Sequence, residues 1–258
     1  QKTAYEIGVR LVGSEMCIRD RANIIPVNGT YDDANRLASY AGDQYNIGIV
    51  NVNLRTYYVE GSKTLAFEVC EQLGWSSPDH VIVPTGSGAM LCAIDRGLKE
   101  FNKIDLISNN KTKITSAQPD GCSPIVDAIK NNSNLIKPVK KPNTLAKSLA
   151  IGEPGDGIFA IETVKNSGGY GEKANDEEIR ESIRLLASTE GIFAEPGGAV
   201  SIAVLQKLVK QNKVDPDEKI VCYVTGNGLK APEAPFIQQP ELKVVEPKRE
   251  VLLDIIGR

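Results

Sequence analysis

The chain is short of the residues that most often carry chemistry by themselves. Among its 258 residues there is one histidine, His80, at the start of an apolar run. A Ser-His-Asp triad or a histidine-rich metal site would rest on that single residue, which argues against both, and no metal ligands are assigned. No two of the five cysteines (Cys17, Cys70, Cys92, Cys122, Cys222) stand in a C-x-x-C spacing. Dithiol and zinc-ribbon chemistry are thereby disfavoured, and reduced, buried thiols of a cytoplasmic protein are expected. Positive charge is not in excess: 30 Lys and Arg stand against 33 Asp and Glu, a net charge of -3, so no nucleic-acid partner is expected. Long uncharged apolar runs are missing and mean hydropathy is -0.20, so no membrane partner or span is expected. What remains is length enough to bury a sizeable core.

The stretch that organises the rest is Val81-Ile82-Val83-Pro84-Thr85-Gly86-Ser87-Gly88-Ala89-Met90. An apolar run stops at a proline, a turn of small residues follows, and a helical pattern begins with Leu91, Ile94 and Leu98 on one face. Strand, small-residue loop and helix N-terminus make a ready cup for a phosphate, because free N–H groups point outward and the helix dipole favours an anion. A P-loop would need Gly-Lys-Ser/Thr where Met90-Leu91-Cys92 stand, and a dinucleotide fingerprint would need glycine where Leu91 stands. Taken alone, the loop is as consistent with an ordinary tight turn as with a ligand site.

The first 21 residues join nothing that follows. They have neither helical nor strand periodicity and no apolar core of a signal peptide; they look like translated adaptor sequence and are expected to pack poorly. On that reading the natural protein begins near Ala22 and its own N-terminal part is not in the chain. From there the pattern is regular. Strands are predicted over 24–27, 47–52, 80–83, 114–117 and 219–224. Helices are predicted over 32–41, 63–73 (with Ser62 as N-cap), 89–102, 124–130, 144–151, 158–165, 176–190 and 199–211. Asn175-x-x-Glu178 reads as a capping box, Gly191 as a stop, and Glu195-Pro196-Gly197-Gly198 as a helix N-terminus facing the ligand. Strands alternating with helices imply an α/β fold with a mostly parallel sheet and helices on both faces. In such sheets ligands sit beyond the carboxyl ends of the strands. Two of those ends carry small-residue turns, Thr85-Gly86-Ser87-Gly88-Ala89 and Thr225-Gly226-Asn227-Gly228. A phosphate at one end and a ring nitrogen seeking a neutral partner at the other describe pyridoxal phosphate.

Several motifs then converge in order: Glu60-Gly61-Ser62-Lys63-Thr64, the Pro84-Thr85-Gly86-Ser87-Gly88 loop, Asp176-Glu177-Glu178-Ile179, Leu185-Leu186-Ala187, Glu190-Gly191-Ile192-Phe193-Ala194-Glu195-Pro196, and Thr225-Gly226-Asn227-Gly228-Leu229-Lys230. On these the chain resembles the threonine synthase family, pyridoxal-phosphate enzymes of the tryptophan-synthase-β type (fold type II). The resemblance implies a phosphate loop at Gly86, Ser87, Gly88, Ala89 and Met90, a ring-nitrogen partner at Thr225, and substrate contacts at Asn51, Asn53 and Arg55. It implies a remnant of a small domain over 22–50, a large cofactor-binding domain over 51–235 and a C-terminal segment over 236–258. It implies a small phosphorylated amino acid as substrate, O-phosphohomoserine converted with water to threonine and phosphate, and it leaves a homodimer open. The chain also departs from the family. Ala89 and Met90 replace a glycine and an asparagine, Tyr58 replaces an arginine, and nothing in the first 58 residues matches the family's Schiff-base lysine motif. Lys63 matches a different motif, at a helix start, so no catalytic lysine is assigned and the fragment alone is expected to be inactive. Cysteate synthase, threonine dehydratase or a non-catalytic homologue of the same fold are the competing readings.

Overall fold

Apolar side chains alternate across β1 (His80–Pro84), and that alternation sets the architecture. Val81 and Val83 enter one core with Leu91, Ile94, Ile114, Ile125 and Ile161. Ile82 enters a second core, on the other face, with Ala117, Ile179, Ile183, Val200 and Val204. A strand apolar on both faces must be covered on both, and each fully buried Ile or Leu contributes about 1.5–3 kcal/mol toward that arrangement.

The structure, a computed structural model, describes residues 25–51, 54–107 and 111–236. The helices among them are α1 (Tyr31–Tyr45), α2 (Arg55–Ser62), α3 (Thr64–Gln72), α4 (Ala89–Lys103), α5 (Pro124–Lys130), α6 (Gly157–Ser167), α7 (Asp176–Glu190) and α8 (Pro196–Lys210). With β1 run β2 (Lys113–Pro119), β3 (Gly171–Ala174) and β4 (Ile220–Cys222). All pairings are parallel and the strand order is β3-β2-β1-β4. The register sets Val81 beside Ile114 on one side and Val221 on the other. Helices α3 to α6 feed the first core, and α7 and α8 the second. The α/β fold with a parallel sheet and helices on both faces is therefore as expected.

Local signals explain most boundaries. Asn175 and Glu178 form a reciprocal capping box at the start of α7, and Gly191 ends it at φ 68°. Thr30 and Asp33 do the same for α1, one turn longer than periodicity suggested. Pro196 opens α8 three residues earlier than expected, at the first helical position where its missing N–H costs nothing.

Elsewhere the structure differs from expectation. Residues 25–27 and 47–51 are not strands of the described sheet. Asn46 turns the chain at φ 50°, and Leu54 N–H donates to the Ile49 carbonyl, so the second segment is a turn into α2. Ser62 does not cap a helix; it ends α2, and its hydroxyl donates to the Tyr58 carbonyl. The stretch over 144–151 shrinks to a 3-10 turn, Lys147–Leu149. β3 was unforeseen, since Gly-Glu-Lys-Ala has no apolar run; it is an edge strand whose buried Glu172 is paired by Lys130 and Gln211. The loose packing expected for the first 21 residues, and nearly all of the C-terminal segment, lie outside the described residues.

Candidate functional site

β1 and β4 are neighbours and parallel, so the turns that follow them open on the same edge of the sheet. Between them lies a crevice of about 210 Å³. Gly86, Ser87, Gly88 and Met90 line it from the β1 turn, Thr225 from the β4 turn, and Glu195 from the start of α8. Of the sequence-predicted cofactor residues only Ala89 does not line it; Ala89 is buried and faces a separate cavity behind the loop.

The loop is built for close approach to backbone. Gly88 caps α4 at φ 96°, a conformation side chains resist, and a Cβ there would sit 3.0 Å from both the Asp156 carbonyl oxygen and the Ala160 methyl. At Gly86 a Cβ would press on Ile151 at 2.9 Å. The Ser87 carbonyl accepts from Asp156 N–H at 3.0 Å, and Thr85 N–H donates to the Ala117 carbonyl at 2.8 Å, so the loop is fixed at both ends. Ala89 N–H reaches Ser87 Oγ only at 3.4 Å, and the N–H groups of Gly86, Ser87 and Gly88 find no acceptor among the described residues. Those donors, at the positive end of a fifteen-residue helix, are what an anion would meet. Among the described residues no lysine, arginine or histidine lines the crevice.

The opposite wall is held by α8. Glu195 N–H donates to the Gly226 carbonyl at 2.9 Å, and Gly198 lets the helix approach until a Cβ there would lie 3.0 Å from Thr225 N. The Glu195 carboxylate stands at the N-terminus of α8, 3.4 Å from Ser148 Oγ and 3.8 Å from Lys230 Nζ. It supplies the negative charge that helix end favours, which leaves the α4 end for a ligand. Thr225 is an exposed member of the lining. Glu195-Pro196-Gly197-Gly198 opens α8 as expected, and of these four residues Glu195 lines the crevice.

Of the expected substrate residues, Asn51 and Arg55 do not line the crevice. Asn51 Nδ2 donates to Tyr31 hydroxyl at 3.0 Å and to Asn35 Oδ1 at 3.2 Å, tying its turn to α1. Asn53 lies outside the described residues. Arg55 lines a separate cavity and pairs with the Asp156 carboxylate. Tyr58 does line the crevice, as do Ser148, Leu149 and Ile151. The last three escaped sequence reading because their segment has no motif of its own; only the needs of Gly86 and Gly197 for space reveal the partnership.

Behind the loop a cavity of about 550 Å³ lies between α2, α4 and α6, lined by Arg55, Asp156, Arg96 and Cys92 among others. Burial, and secondly the Asp156 charge, push the Cys92 thiol up to about 11, so it stays protonated. Lys63 is bound to Glu100 at 2.7 Å and to Glu60 at 2.6 Å, and these carboxylates, Glu100 first, raise its pKa. Its amine is engaged on α4, away from the crevice. The described cysteines are free, and no described helix is long and apolar enough to cross a membrane.

Residues 16–226 match the model of a family described as "Pyridoxal-phosphate dependent enzyme". The threonine synthase of Methanocaldococcus jannaschii is 42% identical over 235 residues, which is 91% of this chain and 58% of that protein. That of Methanosarcina acetivorans is 36% identical over the same shares, and that of Mycobacterium bovis 34% identical over 92% of this chain and 63% of its own. The chain thus spans a little over half the length of these relatives. Among solved structures, diaminopropionate ammonia lyase from Escherichia coli superposes with a TM-score of 0.68 at 21% identity, over 86% of this chain and 61% of that one. Maize serine racemase superposes with a TM-score of 0.61 at 18% identity, over 80% and 59%. Both share the fold.

Proposed function

The chain belongs to the family of pyridoxal-phosphate dependent enzymes, and from that premise we propose that the whole protein is a threonine synthase. The reaction would release phosphate from the γ-carbon of O-phosphohomoserine and add water at the β-carbon, giving threonine. The single observation that carries the reading is one crevice, with a loop of unclaimed N–H groups at one wall and Thr225 at the other, in a chain 42% identical to a threonine synthase. The fit to the cofactor rests on those groups: unclaimed loop amides for the phosphate, Thr225 for the ring nitrogen, and glycines where a Cβ would close the walls.

When bound, the cofactor supplies an electron sink that makes carbon-bound protons of an amino acid removable. The chain's residues do the rest. Gly86, Ser87 and Gly88 hold the phosphate through N–H groups and the α4 dipole, with no cation that could stray to the substrate. Thr225 offers a neutral partner, which leaves the ring nitrogen unprotonated and moderates the sink. Glu195 keeps α8 docked against the β4 turn, so the two walls hold their spacing. Among the described residues no lysine lines the crevice, and none is assigned the proton-moving role.

The protein expressed from its complete gene tests the reading. Phosphate and threonine formed from O-phosphohomoserine support it. Formation of 2-oxobutyrate from threonine would instead favour a dehydratase, to which Ala89, Met90 and an Arg55 engaged by Asp156 lend weight by thinning the contacts for a substrate phosphate. Cofactor binding with neither product would favour a non-catalytic homologue. In the same assay Thr225→Val is expected to leave cofactor affinity within about threefold, since it removes one hydrogen bond, and to lower kcat by ten- to a hundredfold.

A further inference from the structure

The β1–α4 loop has two sides. The inner one faces the crevice. The outer one rests on Asp156, whose N–H binds the Ser87 carbonyl at 3.0 Å and whose own carbonyl would lie 3.0 Å from a Cβ at Gly88. The Asp156 side chain is only 15% exposed and lines the cavity behind the loop, together with Ala89 and Cys92. A carboxylate there is the wrong sign for a loop that gathers an anion. Its charge is felt inside the protein, since it helps hold the Cys92 thiol protonated. Among the described residues the one cation paired with it is Arg55, reaching over from α2. Among the described residues the other cations of this cavity are Lys99, which is bound to Asp95 at 2.6 Å, and Arg96, which stands exposed about one turn earlier on α4. Glu60 and Glu162 add further negative charge to the same lining.

We propose that Arg55 is a positioning residue for the anion site, neutralising Asp156 from behind the loop without touching the anion. The inference rests on the reading of the loop as a phosphate site. Neither Arg55 nor Asp156 lines the crevice, so their effect passes through the loop backbone and through space. Opposite charges that cancel at this range leave the amide donors and the helix dipole to act; cancelling only one of them shifts the local potential in a direction that can be stated beforehand.

The sign of each change separates this role from simple structural support. In the full 258-residue chain, the affinity for pyridoxal phosphate is measured by absorbance titration, with pyridoxal lacking the phosphate as a control. R55Q leaves Asp156 uncompensated and is expected to weaken pyridoxal phosphate binding about tenfold, while D156N removes the repelling charge and tightens it about threefold. The double variant R55Q/D156N returns to within about threefold of the parent, and pyridoxal binding responds to none of them. Added salt shrinks the differences. A double variant as weak as R55Q would mean that Arg55 meets the anion directly, and would overturn the proposal. Weakening in both single variants would make the pair a structural strut and overturn it equally. Should R55Q fail to fold, D156N alone decides, since tighter binding is required of it. A parent chain that binds the two vitamers alike removes the phosphate reading itself, a result distinct from a wrong order among the variants.

Discussion

His80 is fully buried at the head of β1, with Nε2 2.7 Å from Thr115 Oγ1. Thr115 Oγ1 also accepts from Tyr170 N–H at 3.0 Å and keeps one proton and one lone pair, so it serves either tautomer of the imidazole. Nδ1 faces Glu218 Oε2 at 3.7 Å, too far for a bond. Burial lowers the His80 pKa from 6.5 more than Glu218 raises it. The unfolded chain therefore takes up this proton first as pH falls, and stability present above 6.5 is lost below it. Thermal unfolding at pH 7.5 and 5.5 should show that loss in the parent and a flatter response in His80→Gln. Gly88 gives a second residue-scale test. Gly88→Val forces a β-branched side chain to φ 96° and against Asp156. It should cost about 1–3 kcal/mol of stability and, by moving the loop off its support, abolish anion binding. Denaturant unfolding and cofactor titration read the two effects separately.

At the scale of elements, α7 owes its start to a few polar atoms. Asn175 Oδ1 accepts from Glu178 N–H at 2.9 Å, and the Glu178 carboxylate returns the bond to Asn175 N–H at 2.8 Å. Asn175→Ala should lower stability by about 1 kcal/mol without changing the affinity of the crevice, as urea unfolding and titration would record. This helix was legible in the sequence from its capping box and its stop, as β1 and α4 were from their apolar patterns. β3 was not, because Gly171-Glu172-Lys173-Ala174 is held by neighbours on α5 and α8 and not by its own hydrophobicity. The supposed strand over 47–52 failed for the opposite reason. Its apolar residues are real, but Asn46 and the bond from Leu54 to Ile49 make a turn, and Ile47 and Val50 stay exposed. The site divides along the same line. The loop at Gly86 and the Thr225 turn carry motifs and were foreseen, whereas the support from Ile151 and Asp156 is a matter of packing. Arg55 was placed on the substrate by resemblance, yet its partner sits 101 residues away, a pairing no spacing rule could supply.

The whole molecule is organised around β1, which is flanked by β2 and β4 and buried at all five positions. β4 is half-exposed along its length and lies at the end of the strand order. Hydrogen exchange should accordingly be slowest for the amides of β1 and the adjoining part of β2, and faster in β4 and β3; equal protection across all four strands would contradict that order. The neighbour that completes the crevice is also the most distant in the chain. Asp79 and Lys219, which bond where β1 and β4 begin, are 140 residues apart. During synthesis β1, α4 and the loop's supports at Ala117 and Asp156 all leave the ribosome before β4 exists, so the loop wall precedes the opposite wall. A ribosome-bound chain halted before Ile220 would carry the loop with no Thr225 across from it. Because β4 pairs directly with β1, the crevice gains its second wall only when residues 220–222 join the sheet.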